Sequence, residues 1–235
     1  MRPLLLMVAA CGLFAQQPPA FEAASIKANI TAEMGMGMRA GPGQLEWTSV
    51  SLRYLVQLAY GLKDYSYSGP AWLDSVHFDI VARMPANGNV NRYPEMLQTL
   101  LAERFKLVVH RETRELPGLA LVVDKKGLRI KPVEPGGTMS SSGPNMVRME
   151  RGTMVQFASN LSSALNRPVK DLTGLAGWYD IKIQWTPDMA TSTDPSDLPG
   201  SVYAAVQELG LRLQVQKIPV EILVVDRAER VPTEN

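Results

Sequence analysis

The chain has 235 residues, 46% hydrophobic and 20% charged, an ordinary globular balance with room for one or two real cores. Lys and Arg (24) nearly cancel Asp and Glu (23), leaving a net charge of +1. That argues against nucleic acid as a partner, because a duplex-binding surface shows as a basic excess.

Residues 1–15 read as a secretory leader rather than as part of the fold. Met1-Arg2 is a minimal charged start, Leu4 to Ala10 is apolar, and Leu13-Phe14-Ala15 precedes the polar pair Gln16-Gln17. The expected cleavage lies between Ala15 and Gln16. Cys11, the single cysteine, follows Val8-Ala9-Ala10 as in a lipobox, so it is a candidate lipidation site that would anchor the chain. In either case the mature chain has no disulfide and must rely on its core. No later apolar run approaches the ~20 residues of a membrane span.

Residues 16–44 form an N-terminal extension with one expected edge strand over Phe21 to Ala28. A first module follows over 45–130. Leu45 to Thr48 reads as a strand, and Leu52, Leu55, Val56, Ala59 and Leu62 as one face of a helix capped by Ser49 or Ser51. Tyr65 to Ser68 is a further strand, and Phe78, Ile80 and Ala82 alternate in another. Pro94 opens a second helix whose buried stripe is Met96, Leu97, Leu100 and Leu101. Lys106 to Arg111 and Leu119 to Asp124 read as two strands joined through Glu115-Leu116-Pro117-Gly118. Residues 131–146, rich in Pro, Gly and Ser, read as a linker.

A second module over 147–230 repeats the plan. Val147 to Arg151 is a strand, and Met154, Phe157, Leu161 and Leu165 make a helical stripe. Tyr179, Ile181, Ile183 and Trp185 alternate strictly with Asp180, Lys182 and Gln184. Pro187 to Gly200 is a polar loop, Ser201 caps a helix that Gly210 stops, and Leu211 to Val215 and then Val220 to Val225 supply two closing strands.

The two modules echo one another at a spacing of about 100 residues, as expected of an internal repeat. His77-Phe78-Asp79-Ile80-Val81-Ala82 matches Trp178-Tyr179-Asp180-Ile181-Lys182-Ile183, and the run ending in Asp124 matches the run ending in Asp226. The expected fold class is therefore α+β, two tandem similar modules, each β-α-β-β-α-β-β.

The chemistry-bearing residues are sparse. His77 and His110 lack the local H-E-x-x-H or C-x-x-C pairing of a zinc site. The mature chain has no cysteine nucleophile and no G-x-S-x-G elbow. Asp171-Leu172-Thr173-Gly174 differs from an aspartic-protease motif by the intervening leucine. Asp79 with Asp180 and Asp124 with Asp226 read as polar strand or turn positions, with paired acids as the functional alternative. Met34, Met36 and Met38 offer soft thioethers that suit Cu(I), but on a glycine-rich loop without rigid geometry. No metal or cofactor is expected. The candidate partner-binding residues are Trp72, Tyr65, Tyr67 and Trp178, aromatics near turns that can anchor another molecule, with Tyr60 beside them.

Several stretches carry a family likeness. Phe21 to Lys27, Gly69-Pro70-Ala71-Trp72-Leu73-Asp74, Phe78 to Ala82, Leu100 to Leu107, His110 to Pro117, and Asp171-Leu172-Thr173-Gly174-Leu175 resemble, in order, the "soil-associated protein" family of soil bacteria. That family has no established activity, so the resemblance implies secretion and no catalytic residue. Some of its members look fused to membrane metallopeptidases of the antibiotic-sensor type, which implies extracytoplasmic sensing. Each module is also similar to the short N-terminal domain of secretins and TonB-dependent receptors, with Thr173-Gly174-Leu175 and Leu209-Gly210-Leu211 at the turn positions. Those domains dock proteins in the periplasm, although fold alone does not assign function.

The expectation is an exported, periplasmic or secreted protein that acts by interaction or sensing. Its partner would be an envelope protein or a cell-wall component. The alternatives are an extracytoplasmic hydrolase with an unrecognised site and a carbohydrate- or ligand-binding module.

Overall fold

A computed structural model describes residues 18–29, 35–86, 88–186 and 201–233. The leader with Cys11, Ala15 and Gln16, the first methionine of the Met34–Met38 run, and the loop over 187–200 lie outside these residues. In chain order the first elements are β1 (Ala23–Asn29), β2 (Gly37–Gly41), β3 (Gln44–Ser51), α1 (Leu52–Tyr60), β4 (Tyr67–Ser68), α2 (Trp72–Ser75), β5 (His77–Arg83), α3 (Tyr93–Arg104) and β6 (Val108–Val123). There follow β7 (Pro132–Val133), β8 (Met139–Gly143), β9 (Met146–Gly152), α4 (Met154–Leu165), β10 (Val169–Asp171), β11 (Trp178–Gln184), α5 (Val202–Glu208) and β12 (Leu211–Arg227). The fold is α+β.

The chain separates into two compact units. Of the described residues, those within 1–61, 71–107 and 228–235 form unit 1, and those within 62–70 and 108–227 form unit 2. The compact units therefore do not coincide with the consecutive stretches 45–130 and 147–230. The cause is strand pairing. β6 and β12 pair with each other along their lengths instead of closing separate sheets, and β4 runs parallel to β12 while β10 runs parallel to β6.

In unit 1 an antiparallel sheet of order β1-β5-β3-β2 packs its apolar side chains inward. Trp47, Phe78 and Ile80 are at most 1% exposed, and Phe78 meets Phe105 edge-on at 5.0 Å between ring centroids. The expected edge strand is present as β1. The expected stripe of α3, Met96, Leu97, Leu100 and Leu101, is buried, and so are Leu52, Leu55, Val56 and Ala59 of α1, whereas Leu62, expected on the same face, lies beyond the end of that helix and is half-buried. Ser51 caps α1 by accepting from the Tyr54 amide, and Gly61 ends it at φ 62°, a left-handed conformation that glycine adopts without a Cβ penalty. Residues near the C-terminus close the unit, with the Glu229 amide donating to the Phe105 carbonyl at 2.7 Å.

Unit 2 holds two sheets. One has the order β7-β11-β9-β8, antiparallel throughout, and the other the order β10-β6-β12-β4. Tyr179, Ile181, Ile183 and Trp185 all fall on the buried face expected from their alternation, in one cluster with Phe157 and Leu161 of α4. The stretch 131–146 is not purely a linker, because it contains β7 and β8. Backbone pairing requires no apolar side chains, so the Ser-rich β8 serves as an exposed edge strand on β9.

The closing strands also differ from expectation. Pro117-Gly118 and Pro219 do not interrupt the chain, and each expected strand pair is one long strand. β10 meets β6 only at Leu119–Leu121, and β4 meets β12 only at Leu223–Val224. The Leu119 amide points outward, to the Pro168 carbonyl, and Pro117 and Pro219 are in phase with it, so their missing N–H falls on outer edges that have no strand partner there among the described residues and removes no ladder bond.

The β1-β5-β3-β2 and β7-β11-β9-β8 sheets share a pattern of strand order and a local device. The β3–β5 register shifts between Trp47 and Val50, Ser49 adopts φ 49°, and its amide donates to Asp79 Oδ1 at 2.8 Å. The β9–β11 register shifts between Tyr179 and Ile181, Arg151 adopts φ 49°, and its amide donates to Asp180 Oδ1 at 2.8 Å. In both places the carboxylate satisfies the amide that a bulge removes from the ladder, just before a helix begins.

Candidate functional site

The strongest candidate is a groove of about 440 Å³ within unit 2. Four pieces of chain build it: Lys63 and Tyr65, the α4 face bearing Val155, Ala158, Ser159 and Ser162, the β10 segment Pro168 to Asp171, and Ile218 to Val220 of β12. Gly118 of β6 permits the close packing nearby. A Cβ there would lie 2.7 Å from both the Ile218 side chain and the Pro168 carbonyl.

Helix α4 presents this face because its start is fixed. Thr153 and Gln156 form a reciprocal capping box, each side chain accepting from the other residue's amide. The Met154, Phe157 and Leu161 stripe is buried in the core, which turns Val155, Ser159 and Ser162 toward the groove. Val155 is 67% exposed at its rim.

Ser162 is 3% exposed and serves as a hub. Its hydroxyl donates to the Arg167 carbonyl at 2.8 Å and accepts from the Val169 amide at 3.2 Å. With that proton committed, the Tyr65 phenol donates to Ser162 Oγ at 2.6 Å. Burial raises the Tyr65 pKa above its ordinary value, and the bond to Ser162 acts in the opposite direction. The arrangement does not make Ser162 a nucleophile. A nucleophilic hydroxyl needs a base to take its proton, and a peptide carbonyl is not one.

Lys63 stands at the start of a 3-10 turn, Asp64–Ser66, that fixes its backbone. Its amide donates to Ser66 Oγ at 3.0 Å, and its carbonyl accepts from the Ser66 amide at 2.9 Å. The side chain reaches α4, where Nζ donates to the Ser159 carbonyl at 3.0 Å. Burial lowers the Lys63 pKa from the usual lysine value. Asp171 lines the groove as well, but its Oδ1 accepts from both the amide and the hydroxyl of Thr173, at 2.9 and 2.7 Å. That turn accounts for the Asp-Leu-Thr-Gly stretch.

Of the four candidate aromatics, only Tyr65 lines this groove. Tyr67 is half-buried in β4 opposite Leu223, and Trp178 is half-buried in β11 opposite Val133. Trp72 belongs to unit 1, where the Arg230 guanidinium lies 5.1 Å from its ring centroid. The four are thus distributed rather than gathered at one place. Tyr60 is half-buried at the end of α1, and His77 pairs in register with Ser51 and Asn29. Met36 and Met38 are 59% and 39% exposed.

The echoed carboxylates separate by role. Asp79 and Asp180 hold the two bulges, whereas Asp124 Oδ1 accepts from the Lys126 amide in a turn. Asp226 instead meets His110. His110 Nδ1 lies 2.8 and 2.9 Å from the two Asp226 oxygens, and Nε2 lies 3.9 Å from Glu112. His110 therefore has a carboxylate partner that the sequence did not disclose, brought up by the β6–β12 register. Asp226 raises the His110 pKa above the ordinary 6.5. The surrounding ribbon is charged, with Arg111 paired to Glu221 and Arg114 to Glu112. Among the described residues, no three His, Cys, Asp or Glu side chains gather to hold a metal ion.

Lys63, Ser159 and Ser162 went unrecognised in the sequence. The available signal was a second stripe on α4, Val155, Ser159 and Ser162, running beside the apolar one.

A family described as "Protein of unknown function (DUF3738)" matches residues 53–228, and the chain belongs to it. The match spans every residue that lines the groove. No curated protein and no solved structure matches the chain.

Proposed function

We propose that this member of an uncharacterised family is an exported, non-catalytic interaction or sensing protein whose recognition site is the groove of unit 2. The observation that carries the reading is the division of labour in that groove. Ser162 has its proton and its acceptor capacity committed to holding the chain together. Lys63 and the apolar wall of Val155, Ala158, Ile218 and Val220 are left to face a ligand. Concave sites with an apolar lining and a few fixed polar groups are the usual form of a binding pocket. Export rests on the leader pattern of Met1 to Gln16, and the partner class on it in turn: an envelope protein or a cell-wall component.

Three measurements test this. Expression of the full chain in a bacterial host should yield envelope-fraction protein beginning at Gln16, or carrying a diacylglyceryl mass on Cys11. An intact Met1 on cytosolic protein would refute export. The mature protein should bind one of isolated peptidoglycan, envelope polysaccharide or purified envelope proteins, and Val155→Arg at the groove rim should weaken that binding with the circular dichroism spectrum unchanged. Hydrolysis of a generic ester or peptide that Ser162→Ala abolishes would replace this reading with the hydrolase.

A further inference from the structure

We propose that the groove of unit 2 takes a small amphipathic carboxylate, its apolar body against Val155, Ala158, Ile218 and Val220 and its carboxylate on the Lys63 ammonium. This rests on the groove being the recognition site, and it names the ligand class.

The argument begins with the valence of the ammonium. A lysine carries three N–H donors, and Lys63 gives one of them to the Ser159 carbonyl. Among the described residues no carboxylate forms an ion pair with Lys63. A half-buried cation without a counter-ion loses hydration that nothing charged replaces, which is the physical content of its lowered pKa. An anion delivered by a ligand restores that balance, through a charge-assisted hydrogen bond stronger than a neutral one.

Charge and shape agree. Asp171, the carboxylate of the groove wall, is already turned onto Thr173, while Lys170 adds a second cation beside it. The remaining wall is mainly aliphatic, so the ligand must be apolar apart from its anionic end. The groove is open to solvent, and its volume of about 440 Å³ leaves room for a small molecule, whose sites run to roughly 300–1,000 Å³. The cation is also held in place before any ligand arrives, since the Lys63 backbone is fixed by Ser66. A preorganised group costs less to bind.

Calorimetric titration of the mature chain with sodium octanoate tests the inference, with 1-octanol and octylamine as controls. Octanoate should bind at one site, with 1-octanol and octylamine each weaker by at least about tenfold. Lys63→Met should weaken octanoate by about tenfold and leave 1-octanol unchanged, while Lys63→Arg keeps octanoate binding. Octanoate affinity should also fall as pH rises through the lowered Lys63 pKa, since the neutral amine offers no charge.

Equal affinity for octanoate and 1-octanol, an unaffected Lys63→Met variant, or no octanoate binding at all would overturn the inference. So would tighter binding of the peptide Ac-Ala-Leu-Val with a free carboxyl end, which would reassign the groove to chain termini. The two readings also fail separately. If Val155→Arg still abolishes envelope binding but octanoate does not bind, the ligand class falls and the interaction site stands. If octanoate binds as described while Val155→Arg leaves envelope binding intact, the carboxylate site stands and the interaction reading falls.

Discussion

Replacing Ser162 with alanine should be among the more damaging single-atom deletions in unit 2. The side chain is 3% exposed and joins three partners: the Arg167 carbonyl, the Val169 amide and the Tyr65 phenol. Deleting Oγ leaves the amide and the carbonyl at the exit of α4 without that partner. Each buried polar group left unsatisfied costs ~1–3 kcal/mol. The Tyr65 phenol is half-buried and turns to water at a smaller cost. Together these place Ser162→Ala at roughly 2–6 kcal/mol, while Tyr65→Phe removes one neutral hydrogen bond for roughly 0.5–1.5 kcal/mol. The double variant should fall short of the sum, because both deletions remove the same Tyr65–Ser162 bond. Urea denaturation of the mature chain, followed by far-ultraviolet circular dichroism, measures all three. A neutral Ser162→Ala, or one milder than Tyr65→Phe, would mean that the hub does not hold the α4–β10 connection and that Ser162 is kept for another purpose.

Further outcomes follow from the same geometry. Ile183→Ala should cost ~2–5 kcal/mol through lost transfer energy and a cavity, and Lys182→Ala, on the opposite face of β11, less than ~0.5 kcal/mol by the same denaturation. Asp79→Ala should destabilise more than Asp180→Ala in thermal melts. Both carboxylates accept a bulge amide, but Asp79 also accepts from Asn29 Nδ2 at 3.1 Å and is the less exposed. The His110 ring should titrate above 6.5 by NMR, and Asp226→Asn should return it toward that value. Because the folded pKa is the raised one, the stabilisation from this pair is full below the unfolded value and is lost as pH rises through the folded value. A His110 titration at or below 6.5 in the native chain would contradict the pair.

Much of the local structure was legible in the residues themselves. The 3.6-residue stripes of α1, α3 and α4 and the strict alternation of β11 are short-range patterns. They are read from neighbours in sequence, and the buried faces lie where those patterns place them. The serine caps of α1 and α5 are legible for the same reason. Strand continuity was less legible. A proline inside an apolar run reads as a break, and only the absence of an outer neighbour makes it harmless in β6 and β12.

The groove and the histidine pair belong to the long-range structure alone. Tyr65 and Ser162 lie 97 positions apart, and His110 and Asp226 lie 116 apart. No local rule relates them. The echoed aspartates show where the boundary falls. Asp79 and Asp180 match in sequence and also in role, since each faces the same bulge of its own sheet. Asp124 and Asp226 match in sequence and diverge in role, because β6 and β12 pair with each other and place their ends beside different neighbours. Periodicity set by the chain chooses which face of a strand or helix is buried. Which distant residue a side chain then meets depends on how the strands pair, and only the folded chain decides that.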